Sequence, residues 1–297
     1  MAGPEIVKLK RILREKNAAA SGAPVSLDQR RAGMEKVAFR VADDIGVEAL
    51  TVAGRPAEWL RAPGAQAERA ILYLHGGGYV MGSLNTHRSL GGEVSRAAQA
   101  AVLMLDYRLG PEEPFPAAVE DGVAAYRWLL DNGFAPHNLA IAGDSAGGGL
   151  TAATLVAARD QQLALPAAAV CISPWSDMTC SNESYQTRAE ADPMVGPDIG
   201  KMVDLYLQGK DATDPYASPN FADLHSLPPL LIHVGRDEVL LDDAIKLDHK
   251  ARADGVDSTL EVWEDMIYVW HAFHPMLPEG RDGIVRVGEF LRDKWAA

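Results

Sequence analysis

Residues 139–150 read Leu-Ala-Ile-Ala-Gly-Asp-Ser-Ala-Gly-Gly-Gly-Leu, and the order of residue types in this stretch decides the fold. An apolar run, 139–142, ends in Gly143-Asp144-Ser145-Ala146-Gly147, and a segment rich in Ala, Leu and Val follows. This is G-x-S-x-G between a strand and a helix, where a sharp turn lifts a serine above the carboxyl edge of a sheet. Gly143 and Gly147 let the backbone turn tightly, and the helix N-terminus behind the serine favours negative charge developing in front of it. Ser145 is therefore the candidate nucleophile. The competing reading is a glycine-rich turn whose serine merely caps the helix that starts at Ala146.

Toward the N-terminus, His75-Gly76-Gly77-Gly78 directly follows a second apolar run, 70–74. Consecutive glycines let backbone N–H groups approach a ligand closely. Acyl transfer needs such donors where a carbonyl oxygen becomes an oxyanion. A flexible loop or a phosphate cradle would also use glycines. The spacing does not suit a dinucleotide fingerprint, however, and no G-x-x-x-x-G-K-[ST] occurs.

Around these two motifs, short β-rich runs at 48–52, 57–61, 70–74, 101–105, 139–142, 168–172, 230–234 and 259–263 alternate with helical stretches. The predicted helices span 86–98, 115–131, 146–161, 242–254 and 283–294. Strand–helix alternation of this kind predicts a mostly parallel central sheet flanked by helices, an α/β architecture. Residues 178–224 break the rhythm, with Pro193, Pro197, Pro215 and Pro219 around one helical stretch, 198–207. Residues 1–45 also stand apart: apolar positions at helical spacing predict a helix over 4–16, and an Ala/Gly/Ser linker spans 18–24. Ser26 and Gln29 then form a capping box that opens a second helix. The stripe on the first helix would pack on the body of the protein, with membrane association as the alternative. Residues 1–45 and 178–224 are expected to form a helical cap, and 46–177 with 225–297 the catalytic domain. The cap would cover the carboxyl edge of the sheet, where open α/β sheets bind ligands.

Hydrophobic residues make up 47% of the 297 and charged residues 23%, an ordinary globular balance. The formal charge of −13 argues against a nucleic-acid partner. Cys171 and Cys180 form neither a disulfide framework nor a CxxC zinc motif. His87, His137, His225, His233 and His249 are scattered with no ligand-pair spacing, so neither a metal nor a cofactor is expected, and His233 reads as a core residue within an apolar strand. The N-terminal residues lack a signal peptide's apolar core, and no run approaches the ~18 apolar residues of a membrane span. A cytoplasmic location is the expectation.

Together with Asp106-Tyr107-Arg108-Leu109, Pro111, Pro114-Phe115-Pro116-Ala117, Ser218-Pro219, Leu227-Pro228-Pro229 and Gly235-Arg236-Asp237-Glu238-Val239-Leu240, the two motifs resemble the bacterial hormone-sensitive-lipase family of esterases, from about residue 26 to the C-terminus. That resemblance implies the α/β-hydrolase fold. It implies Ser145 as nucleophile, the amides of Gly77, Gly78 and Ala146 as an oxyanion hole, and His75 as a structural residue of its loop. Asp237 matches the family's acid, which would orient an imidazole and stabilise its charged form. Glu113 departs from the family, which usually has His there.

The base is the larger departure. In the family a strand, a short turn, Met and one further residue precede the catalytic His. Here that count runs from Trp263 through Met266 and Ile267 to Tyr268, directly before Val269-Trp270. A tyrosine, with an ordinary pKa of about 10, is a poor base for a serine. His271, three residues later in His271-Ala272-Phe273, is the possible substitute base, and His274 reads as a surface residue. The resemblance implies a carboxylesterase acting on short-acyl small-molecule esters, impaired by Tyr268. A homodimer through a sheet edge, as in the family, is compatible with the sequence. Two alternatives stay open: a ligand-binding protein on the same scaffold, as in the plant gibberellin receptors, and amide or peptide hydrolysis by the same machinery.

Overall fold

Strands that are apolar on both faces can be satisfied only between two layers of helices, and the chain is built that way. The computed structural model describes residues 3–20, 25–196 and 199–296. In chain order the elements are α1 (Pro4–Ala20), α2 (Leu27–Val37), β1 (Gly46–Val52), β2 (Arg55–Arg61), β3 (Gln66–Leu74), α3 (Leu84–Ala98) and β4 (Ala100–Leu105). Then come α4 (Ala117–Asp131), β5 (Leu139–Asp144), α5 (Ala146–Asp160), β6 (Ala168–Ile172), α6 (Ser184–Thr187) and α7 (Ile199–Leu207). The chain continues through β7 (Leu230–Gly235), α8 (Leu241–Ala253), β8 (Ser258–Trp263) and α9 (Pro278–Ala296). Among the described residues the strands form one eight-stranded sheet in the order β1-β2-β4-β3-β5-β6-β7-β8. The β1–β2 and β2–β4 pairings are antiparallel and all the others parallel, the α/β-hydrolase fold.

Strands β4 to β7 are buried at every position. On one face Leu72, Leu103, Ile141 and Ile232 pack against α4, α5 and α8. On the other, Ile71, Val102, Ala140 and Leu231 pack with Leu90 and Val94 of α3 and Phe290 and Leu291 of α9. Helix α5 is buried along most of its length, which its Ala and Gly residues permit. Helix α9 starts five residues before its predicted limit, because Gly280 and Gly283 thin the apolar pattern there. These glycines let α9 lie against the turn at 270–274: a Cβ on Gly283 would stand 2.7 Å from His271 Nε2.

The segments that break the strand–helix rhythm gather over one rim. Ile6 and Leu9 of α1 are buried against Met266, Ile267, Trp270 and Leu277, so the apolar stripe packs on the body of the protein. Lys10 Nζ lies 2.6 Å from Asp237, and Asn17 donates to the Pro193 carbonyl. The capping box of Ser26 and Gln29 opens α2, whose Arg31 donates to the carbonyls of Val80 and Gly110. Met202 of α7 lies over Gly78. These partners sit in segments that follow the carboxyl ends of β3, β4, β6, β7 and β8.

Three expectations need adjusting. Residues 18–20 of the predicted linker continue α1, while 21–24 lie outside the described residues, as do Pro197 and Asp198 at the start of the predicted 198–207 helix. Ala217, Ala222 and Leu224, assigned above to the cap, are buried in the central core. No described helix is long and apolar enough to cross a membrane.

Removing the buried methyl groups of Ile6 should loosen α1 specifically. Ile6→Ala is expected to cost about 2–5 kcal/mol of docking, read as at least about tenfold faster amide hydrogen exchange over residues 4–20. Unchanged exchange would mean that Ile6 does not hold the helix.

Candidate active site

At the end of β5 the chain turns into α5 through Ser145 in a strained conformation, φ 57° and ψ −123°. Such backbone costs about 1–3 kcal/mol and persists only where its surroundings enforce it. The enforcement is visible: the Ser145 amide donates to Ile172 O, and its carbonyl accepts from the amides of Gly149 and Trp175. Neither flank has room for a side chain. A Cβ on Gly143 would stand 2.3 Å from Gly147 O, and one on Gly147 would stand 1.9 Å from Leu74 O.

The loop after β3 brings the donors. Gly77 and Gly78 have φ of 124° and 64°, in the region that favours glycine. Among the described residues none accepts a hydrogen bond from the amides of Gly77, Gly78 or Ala146, so all three are available to a ligand oxygen. Beneath the loop, His75 is fully buried, donates from Nδ1 to Gly76 O and stacks on Tyr107, whose hydroxyl donates to His75 O. Burial pushes the His75 imidazole down to about 3, so the ring is neutral and structural. Asp144 binds the elbow to the same layer, accepting from Tyr73 and facing His87 Nε2 at 3.3 Å. Burial opposes its charge, but His87 and Tyr73 more than offset that and hold its carboxyl below the ordinary range.

The loop after β8 delivers position 268. It turns through Asp265 at φ 64° and Val269 at φ 45°. The Val269 amide is held by Ser173 Oγ at 3.1 Å, and Ser173 in turn donates to Glu238 Oε1, which also accepts from the Gly235 amide. Burial pushes the Glu238 carboxyl well above its ordinary range. Held this way, the Tyr268 hydroxyl hydrogen-bonds Ser145 Oγ. Burial raises the Tyr268 phenol above its ordinary range as well, so the group facing the serine is neutral.

Two other expected residues stand differently. The amide of Asp237 donates to Met266 O, close to the loop carrying Tyr268, but its carboxylate is paired with Lys10. A phenol offers no second polar atom for that carboxylate to orient, unlike an imidazole. His271, the possible substitute base, is bonded elsewhere and not to Ser145 in this arrangement. The turn at Trp270–Phe273 carries it to the α9 side, where its Nε2 lies 3.0 Å from His233 Nδ1, and its ring stacks on His233 and lies tilted against Trp270. It is fully buried, and burial pushes its pKa well below the ordinary imidazole range. His233 is the expected core residue and faces Glu261, whose carboxyl falls to about 2 beside His233 and Arg286. His274, read above as a surface residue, is half-buried and bonded to Ser89.

A cleft of about 660 Å³ opens among Asn17, Tyr185, Asp192, Val195, Ile199 and Val239, between the N-terminal helix, the 180–200 segment and the start of α8. Its lining is mostly apolar with a few polar groups, which suits a small organic ligand. Among the described residues no three His, Cys, Asp or Glu side chains converge so as to hold a metal ion.

The sequence profile of a family described as alpha/beta hydrolase fold matches residues 71–274. An acetyl-hydrolase of Streptomyces hygroscopicus is 48% identical over 296 residues, covering 98% of this chain and 97% of that protein. The crystal structure of EstE5 soaked with p-nitrophenyl butyrate shares 73% identity over the full length of both chains, with a TM-score of 0.98. An esterase from the bacterial hormone-sensitive lipase family is 50% identical over 99% of each chain, with a TM-score of 0.95.

The buried imidazole under the glycine loop has a pH signature. His75 is neutral in the fold down to about 3, whereas an unfolded chain protonates it below its ordinary 6.5. Its contribution therefore turns against the folded state as pH falls through that window. Compared with His75→Gln, the native chain should lose unfolding free energy between pH 6.5 and 4 by up to about 1.4 kcal/mol per pH unit. Parallel stability curves for the two proteins, from urea titrations at several pH values, would refute this.

Proposed function

The chain belongs to the α/β-hydrolase family, among its bacterial hormone-sensitive-lipase-like carboxylesterases, and on that footing we propose that it is a serine carboxylesterase of short-acyl esters whose turnover is strongly reduced by Tyr268. Ser145 attacks the ester carbonyl, and the amides of Gly77, Gly78 and Ala146 hold the oxyanion. Water then releases the acid from the acyl-enzyme. Asp237 is the acid of a triad that lacks its imidazole. The segments around α1, α2 and α7 form a cap over the carboxyl edge of the sheet, and the cleft beside Asp192 lies beneath it. Short acyl chains are favoured by the likeness to an acetyl-hydrolase and to an esterase soaked with a butyrate ester.

One observation carries the impairment: the hydroxyl of Tyr268 occupies the hydrogen-bonding position beside Ser145 Oγ where a base belongs. A neutral phenol cannot take the serine proton at neutral pH, and loss of one triad member costs roughly 10⁴–10⁶ in turnover. The same observation favours a second reading, a ligand-binding protein on a hydrolase scaffold.

Steady-state hydrolysis of p-nitrophenyl butyrate separates these readings. Tyr268→His should raise turnover by about a thousandfold or more, and His271→Ala should change it little. A fast native chain silenced by His271→Ala would move the base to His271. If Tyr268→His also fails to turn over, the esterase reading falls and the binding reading replaces it.

A further inference from the structure

The two halves of ester hydrolysis place different demands on the groups around Ser145, and this site meets only one of them. We infer that, if the esterase reading above holds, the protein is a single-turnover acyl trap for short-chain acyl donors with weakly basic leaving groups, such as aryl esters.

In the first half, Ser145 Oγ forms a bond to the carbonyl carbon, and the bond to the leaving oxygen breaks with its electron pair. An aryloxide departs as a stable anion and needs no proton. The Ser145 proton passes to solvent hydroxide. The remaining requirement is stabilisation of the oxyanion, and the free amides of Gly77, Gly78 and Ala146 supply it. This half runs without an imidazole, slowly but to completion.

In the second half, water attacks the acyl carbon, and the group expelled is Ser145 Oγ itself. A serine alkoxide is a far stronger base than an aryloxide and must gain a proton as its bond breaks. The attacking water must also lose one. In a complete triad a single histidine performs both transfers. Here the group beside Oγ is the Tyr268 hydroxyl, which as a neutral phenol can hand a proton to a departing alkoxide but cannot take one from water. Asp237 cannot help, because its carboxylate is spent on Lys10 and acts only through an imidazole. His271 is locked against His233 on the α9 side. No group in reach collects the proton from the attacking water, and solvent hydroxide attacking in its place must expel an alkoxide and not an aryloxide, so this half is the slower one and acyl-Ser145 accumulates. Alkyl esters meet the same barrier in the first half, since their leaving group is itself an alkoxide, and should leave the protein unmodified.

The test mixes the full-length protein with a small excess of p-nitrophenyl butyrate and follows nitrophenolate release and intact mass together. The expected result is a burst of one nitrophenolate per chain. One butyryl group should be retained on Ser145, and its release should be at least about a hundredfold slower than in Tyr268→His. Ser145→Ala, checked for an unchanged melting curve, should show neither burst nor adduct, and ethyl butyrate should give no adduct. Continuous turnover of the native chain without a burst or adduct would overturn the trap and leave the esterase reading standing. So would an unreactive native chain beside an active Tyr268→His. Inactivity of Tyr268→His as well would remove the esterase reading, and the trap with it.

Discussion

The centre of this molecule is organised by the lack of space around one turn. Between β5 and α5 the backbone passes so close to the end of β3 that no side chain fits at Gly143 or Gly147. Those contacts hold Ser145 at a positive φ and aim it out of the sheet. The glycine loop after β3 is packed against the same turn, since a Cβ on Gly76 would stand 2.3 Å from Asp144 Oδ2. The buried layer of Tyr73, His75, His87, Tyr107 and Asp144 locks the two together from below. Ser145 and the glycine loop that faces it are therefore a single preorganised unit, held by contacts that do not involve position 268.

The remaining part of the site arrives on a separate loop, fastened through its backbone. Ser173, backed by Glu238, holds the Val269 amide, so the loop is anchored at a main-chain atom beside Tyr268. Three residues on, the chain has turned to the opposite side, and His271 faces the glycines of α9 instead of the serine. The separation between a base position and a buried core histidine is thus one helical turn of loop. Nearness in sequence misleads here, because direction rather than distance decides the chemistry.

Much of this was legible from residue order. The parallel strands show as apolar runs, and β6 spans 168–172 as read, because strands covered on both faces have no polar positions to blur their ends. The elbow and the glycine loop follow from local motifs, and the register that puts Tyr268 beside Ser145 from the resemblance to the esterase family. What escaped is long-range. The pairing of Lys10 with Asp237 spans 227 residues, and the Ser173–Glu238 bond spans 65. A lysine in a helix and a glutamate beside an expected acid look like any other surface charges until the fold brings their partners in. The early start of α9 was hidden for the opposite reason: its glycines read as interruptions, yet they serve a close approach visible only in three dimensions.

A loop held by its main chain has a genetic consequence. The codons of histidine and tyrosine differ in their first base alone, so one nucleotide separates the residue found here from the one its relatives' pattern places there. Because Val269 and not its neighbour bears the anchoring hydrogen bond, that exchange leaves the anchor itself in place. Position 268 is in effect a socket, and a lineage that swaps what is plugged into it keeps the backbone anchor beside it.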